Sequence, residues 1–217
     1  MGLLESLYVE GGSALGNQVM SQVSLILSII LIIFLIYCVF KLFEKSKPTT
    51  EYIVLLAILT AITVIGNLFG MAIPGLQIGT FVLIMAGVVF GKETGLILGF
   101  ITAIVWDLIT GIGFWLPYQM LAFGIIGFLS GLISNKMDNI IVRIVFGFLM
   151  GILFGWITNL TMFFFLSEIN LNTIIGVYVL SLSFDVIRGV CNAILLAIGY
   201  NWFVKILNRS KDKFNLN

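Results

Sequence analysis

The stretch SFDVIRGVCNAILLAIGYNWFVKILNR, residues 183–209, holds a long uncharged run between Arg188 and Lys205. At 1.5 Å of rise per residue, a helix would carry Arg188 about 26 Å above Lys205. That distance approaches the hydrocarbon thickness of a bilayer, which takes about 20 apolar residues to cross. The segment therefore reads as a spanning helix with its polar residues gathered toward one end. Asp185 stands one turn above Arg188 and Asn192 one turn below, so the three share a helical face. An ionisable residue within a membrane costs about 2.5–3.5 kcal/mol on insertion scales, which makes such a face a candidate functional site. The competing reading is structural: Asp185 and Arg188 neutralise each other near the interface.

The rest of the chain agrees with a membrane setting. Of 217 residues, 60% are hydrophobic and only 10% charged, against about 25% charged in soluble domains. Glycine at 23 and phenylalanine at 19 suit close helix contacts and lipid-facing bulk, while three prolines leave few forced breaks. A net charge of +1, with no basic stripe outside short loops and the tail, argues against a nucleic-acid partner. Cys38 and Cys191 both lie in apolar runs, which speaks against a disulfide or a metal pair. The absence of histidine removes the commonest general base, proton shuttle and metal ligand. No metal and no cofactor are expected, and without a GxxxxGK[ST] loop any ATP would have to be used by a partner.

Windows of about 20 residues place seven spans near 23–43, 52–69, 74–90, 94–112, 116–134, 141–165 and 174–207. The first lacks a basic leader and a small-residue cleavage site, so it reads as a retained anchor. Lys41, Lys45 and Lys47, then Lys92, then Lys136 and Arg143, then Lys205, Arg209, Lys211 and Lys213 fall on alternate connections and the tail. The positive-inside rule puts these in the cytoplasm, with the N-terminus outside and the C-terminus inside. The N-terminal segment with Glu5 and Glu10, the turns 67–74 and 167–170, and GIGFWLPYQM, 111–120, then face outward. The polar segment KSKPTTE, 45–51, divides an extracytoplasmic N-terminus, accessory helix and linker (1–50) from a six-helix membrane core (51–209) and a cytoplasmic tail (210–217).

Similar arithmetic puts Asp107 about 21 Å above Glu93 and Asn159 about 24 Å above Arg143. Asp107, Asn159 and Arg188 are thus expected at one level in the outer half, on three spans. Trp106, Phe114, Trp115, Tyr118, Trp156 and Phe163 share that level, with Gln119 beside them. An interfacial anchor belt gives the same aromatic pattern, yet it does not need Gly111, Gly113 and Pro117, which take the connection off the helical path. The decapeptide reads as the rim of an outward pocket over Asp107. Span seven, about 51 Å if straight, exceeds the bilayer core, so Ile174–Phe184 is expected to fold over the outer face as a second lid. Gly147, Gly151 and Gly155, and likewise Gly124, Gly127 and Gly131, read as packing seams. Ala57 and Ala61 form a further small pair, either an internal seam or a smooth face for a partner.

The segments GFWLPYQMLAFGIIGFLSGLI, 113–133, and 183–209, with the Ala57–Ala61 pair, resemble the substrate-binding S component of energy-coupling factor (ECF) transporters, in particular a cobalamin-like branch. The resemblance covers about residues 52–209 and leaves the first span outside. It implies an all-α, six-helix membrane protein without enzymatic activity that captures a vitamin-like solute, a corrinoid first, from outside. Ala57 and Ala61 would dock on a transmembrane scaffold subunit that works with two ATPases, and the S component would topple in the membrane as ATP is hydrolysed. Asp107, Gln119, Asn159, Asp185 and Arg188 would orient the solute, and Trp106, Trp115, Tyr118 and Trp156 would stack on it. Two other classes compete. A membrane assembly factor would use the buried charges for packing alone, and a lipid-modifying enzyme would need acidic ligands for Mg²⁺ that do not recur here.

Overall fold

A computed structural model describes residues 26–27, 29–41, 43–44, 48–71, 76–166 and 170–213, with Phe164 described by its backbone alone. The regular structure of these residues is helical: α1 (Ile29–Lys41), α2 (Thr50–Gly70), α3 (Ile78–Phe90), α4 (Lys92–Thr110), α5 (Leu116–Leu132), α6 (Ile140–Asn159) and α7 (Leu171–Lys213). Short 3₁₀ turns follow α5 at Ser134–Lys136 and α6 at Leu160–Phe164. The expectations for Glu5 and Glu10, Lys45 and Lys47, the turns around 72–75 and 167–169, and the last four residues lie outside the described residues.

Local chemistry accounts for the helix ends. The Thr49 hydroxyl accepts from the Tyr52 amide at 3.3 Å, Asn139 Oδ1 from Ile141 at 2.9 Å, and Asn170 Oδ1 from Thr173 at 3.0 Å, each satisfying an amide with no partner inside its helix. Gly91 and Gly111 close α3 and α4 at φ 94° and 116°, a region where a side chain is strained. Pro117 stands in the first turn of α5, where its missing N–H would have found no partner anyway. These breaks explain how 111–115 leaves the helical path.

α3 lies at the centre. Gly79 to Gly87 are buried without interruption, the mark of a helix apolar on every side and enclosed by others. It touches α2, α4, α5 and α7, while α4 pairs with α5, α5 with α6, and α6 with α7. Although only 13 residues long, it is enclosed in protein and need not match the bilayer thickness. α2, α4, α6 with its 3₁₀ turn, and α7 are long and apolar enough to cross a membrane, and α1, α3 and α5 are shorter apolar helices. Leu35 brings α1 into the shared apolar core.

Both glycine series are the seams expected of them. A Cβ on Gly127 would strike the Gly95 backbone, and one on Gly131 that of Lys92, which fixes α4 against α5. Gly151 likewise meets Gly189, fixing α6 against α7. One expectation is corrected: Ile174–Phe184 does not fold over the bundle. It belongs to α7, which runs unbroken for 43 residues, about 64 Å. Its first turns continue alongside the 3₁₀ turn after α6, with the Tyr178 and Phe163 rings 6.3 Å apart. Ring packing there gives the extra length a protein neighbour on one side, while Leu171, Ile175, Val179 and Leu180 stay exposed.

Candidate functional site

The polar face of α7 is tied to α6 by a short network. Arg188 Nη1 donates to Asp185 Oδ1 at 2.9 Å. The Ser181 hydroxyl donates to Asp185 Oδ2 at 3.0 Å, and Asn159 Nδ2 donates to Ser181 Oγ at 2.6 Å. Positions 181, 185, 188 and 192 follow helical spacing, which keeps them on one face. Glycine on α6 makes the room, since a Cβ on Gly155 would overlap the Asp185 carboxylate. The Arg188 guanidinium also lies over the Phe154 ring, 4.8 Å from its centroid, and Phe154 meets Phe123 of α5 at 4.7 Å. A continuous path of contacts thus leads from α7 through α6 to α5.

This network leaves hydrogen-bonding capacity unused. Arg188 Nε and both amide atoms of Asn192 are buried with no hydrogen-bond partner among the described residues. A similar set stands on α4 and α5. Asp107 is wholly buried and neither of its carboxylate oxygens has a donor among the described residues. Gly95 against Gly127 and Gly99 against Phe123 set the register of α4 on α5, which carries Asp107 to the level of Trp115–Leu116. Gln119, about one turn along α5, has a buried and unpartnered Oε1. It precedes Phe123 by one turn, so α5 carries both the amide and the ring that leads to Arg188. An unpartnered buried polar group costs about 1–3 kcal/mol, more when charged. Native folds keep few of them, and those that persist call for an explanation.

Asp107, Asn159 and Arg188, expected at one level on three spans, fall into two groups by contact. Asn159, Asp185 and Arg188 come together between α6 and α7. Asp107 lies on α4, whose extensive contacts are with α2, α3 and α5. The aromatics divide as well. Phe114 meets Trp115 at 5.1 Å and Phe165 at 4.9 Å, joining the α4–α5 connection to the segment after α6 as a rim. Trp106 and Tyr118 are half-buried. Trp156 is 54% exposed and packs edge-on against Tyr178 at 6.0 Å, on the flank of the α6–α7 pair.

Sequence reading missed Ser181, Phe154 and Phe123. Ser181 was detectable, standing four residues before Asp185 on the same face; the two phenylalanines look like any other apolar residue. It also took Arg143 for an ordinary loop cation. Arg143 is buried, donating to the carbonyls of Met137 at 2.6 Å and Asp138 at 2.7 Å and stacking 4.1 Å over Tyr200. It holds the turn before α6.

The arrangement offers acceptors at Asp107 and Gln119, a donor at Arg188 and both at Asn192, with aromatic faces nearby. That suits a neutral solute rich in hydrogen-bonding groups. Among the described residues no three His, Cys, Asp or Glu side chains gather as a metal site. Neither the curated proteins nor the solved structures give a match to this chain. Residues 47–208 match the family model of the ECF-type riboflavin transporter S component, which covers α2 to α6 and most of α7, and the chain belongs to that family of substrate-binding, vitamin-type transporter subunits.

Proposed function

We propose that this chain captures a flavin from outside the cell and delivers it to a scaffold and ATPase module. The observation that carries the reading is the set of buried, unpartnered polar atoms on α4, α5 and α7, with the Phe114–Trp115–Phe165 aromatic group at the α4–α5 connection. A flavin has a flat apolar ring system with an imide edge and a polyhydroxyl chain. Each hydroxyl both donates and accepts, matching a site that holds acceptors on α4 and α5 and donors on α7. The family description also names riboflavin, and a flavin takes the place of the corrinoid that the sequence resemblance favoured. Asp107, Gln119, Asp185, Arg188 and Asn192 orient the polar groups; Asn159 and Ser181 hold Asp185. Trp106, Trp115 and Tyr118 border the ring, and Trp156 supports the α6–α7 flank.

The same reading assigns the end with Asp107 to the outside and the end with Lys92, Lys136 and Lys205 to the cytoplasm. Residues 51–209 form the capture unit and α1 is an accessory helix. Ala57 and Ala61 are exposed on α2 between Ile53, Ile58 and Ile62, a smooth apolar stripe for the scaffold.

The test is a titration of riboflavin with the detergent-purified chain, following the quenching of flavin fluorescence, with cobalamin as competitor. Saturable quenching that cobalamin leaves unchanged is expected. Arg188→Met is expected to weaken binding by about tenfold or more, the usual loss for a hydrogen bond to a charged group. Ala57→Trp with Ala61→Trp is expected to bind flavin normally but fail to co-purify with the scaffold. No quenching, together with stabilisation by cobalamin, would return the corrinoid. Binding of neither would sink the capture reading.

A further inference from the structure

The helices that surround α3 do not close. α2 and α7 each lie against α3, yet they are not among the helix pairs in extensive contact with each other. Between them runs a groove of about 460 Å³ whose walls include Ile65 and Phe69 of α2, Phe81 of α3, and Ile198, Trp202 and Phe203 of α7. Its surface is almost wholly hydrocarbon. Ile198 is 81% and Trp202 66% exposed, so these side chains stand at the groove with none of the described residues covering them.

The α7 side of the groove continues into charge. Positions 198, 202, 205 and 209 follow helical spacing along one face, so the apolar wall of Ile198 and Trp202 leads directly to Lys205 and Arg209. Both are exposed, and neither has an ion-pair partner among the described residues. Along α7 the groove extends from Leu195 to Phe203, about 12 Å of helix. That is close to one leaflet of a hydrocarbon core about 30 Å thick. A hydrocarbon chain can lie along such a groove, and the basic residues at its end favour an anionic headgroup.

We infer that the α2–α3–α7 groove is a binding site for an anionic glycerophospholipid, with an acyl chain along Phe81 and Ile198 and the phosphate held by Lys205 and Arg209. Basic side chains at the end of an apolar helix face recognise anionic headgroups through charge, and the attraction weakens as salt rises. Trp202 sits between the two regions, where an amphipathic ring is favoured. The site is separate from the polar groups around α5, so it stands whether or not the solute is a flavin.

The test uses the full chain in nanodiscs of phosphatidylcholine containing a small fraction of phosphatidylglycerol. Native mass spectrometry after release into mild detergent counts the retained lipid. Phosphatidylglycerol is expected at about one per chain, well above its share of the disc. Lys205→Gln and Arg209→Gln are each expected to lower its retention about fivefold. Ile198→Trp, at an exposed position where a larger ring fills the groove without displacing core packing, is expected to lower retention of either lipid. Each variant is first checked for an unchanged melting temperature and flavin titration. Retention in the proportions of the disc, or unaffected by these three changes, would overturn the site. So would a groove that sheds lipid freely yet is protected from labelling at Ile198→Cys only when the scaffold is bound, which would make it a protein face.

Discussion

At the scale of single residues, the best-defined juxtaposition is Gly155 against Asp185. The glycine leaves the space that the carboxylate fills, and the carboxylate in turn positions Arg188. Alanine at an exposed helix position stabilises by about 1 kcal/mol relative to glycine, so Gly155→Ala would raise stability if the site were open. Here the added methyl meets Asp185. We expect a lower melting temperature and a weakened flavin titration together, comparable to those of Asp185→Ala. A gain in stability with unchanged binding would show that the α6–α7 contact is looser than described. Asp185, Arg188 and Asn192 were legible in the sequence because charge in an apolar run is conspicuous. Phe154 and Phe123, which connect them to α5, were not: one more phenylalanine among 19 carries no mark of its contacts.

At the scale of elements, α7 differs most from its sequence reading. Counting residues against bilayer thickness suggested that so long a segment must bend over the outer face, yet it continues as one unbroken helix. The Tyr178–Trp156 and Tyr178–Phe163 ring contacts give its first turns a protein neighbour at the end of α6 and in the 3₁₀ turn after it. A substitution can separate the two descriptions. Val179 is 62% exposed, so proline there disturbs little packing, but inside a continuous helix it removes a backbone hydrogen bond and costs about 3 kcal/mol. Val179→Pro is expected to lower the melting temperature clearly, whereas a lid in loop conformation would tolerate it. The glycine seams, by contrast, were readable in advance. Spacing by four lines up bare backbone on one face, and bare backbone seeks another backbone.

At the scale of the whole molecule, the proposed orientation rests on where the basic residues fall, and it can be checked directly. With Cys38 and Cys191 replaced by serine, Ile112→Cys at the Asp107 end is expected to react with a membrane-impermeant maleimide on intact cells. Lys136→Cys at the opposite end is expected to react only after permeabilisation; the reverse pattern would invert the topology. By itself the sequence determined the membrane setting, the number of apolar segments, the glycine seams and the family resemblance, because hydropathy, charge and small-residue spacing are properties of consecutive residues. Only the tertiary structure decided that α3 is enclosed, that Asp185 and Arg188 are tied through Ser181 to Asn159 of α6, and that a gap remains between α2 and α7. Those facts depend on which helix lies beside which, and that arrangement is settled by side-chain packing between residues far apart in the chain.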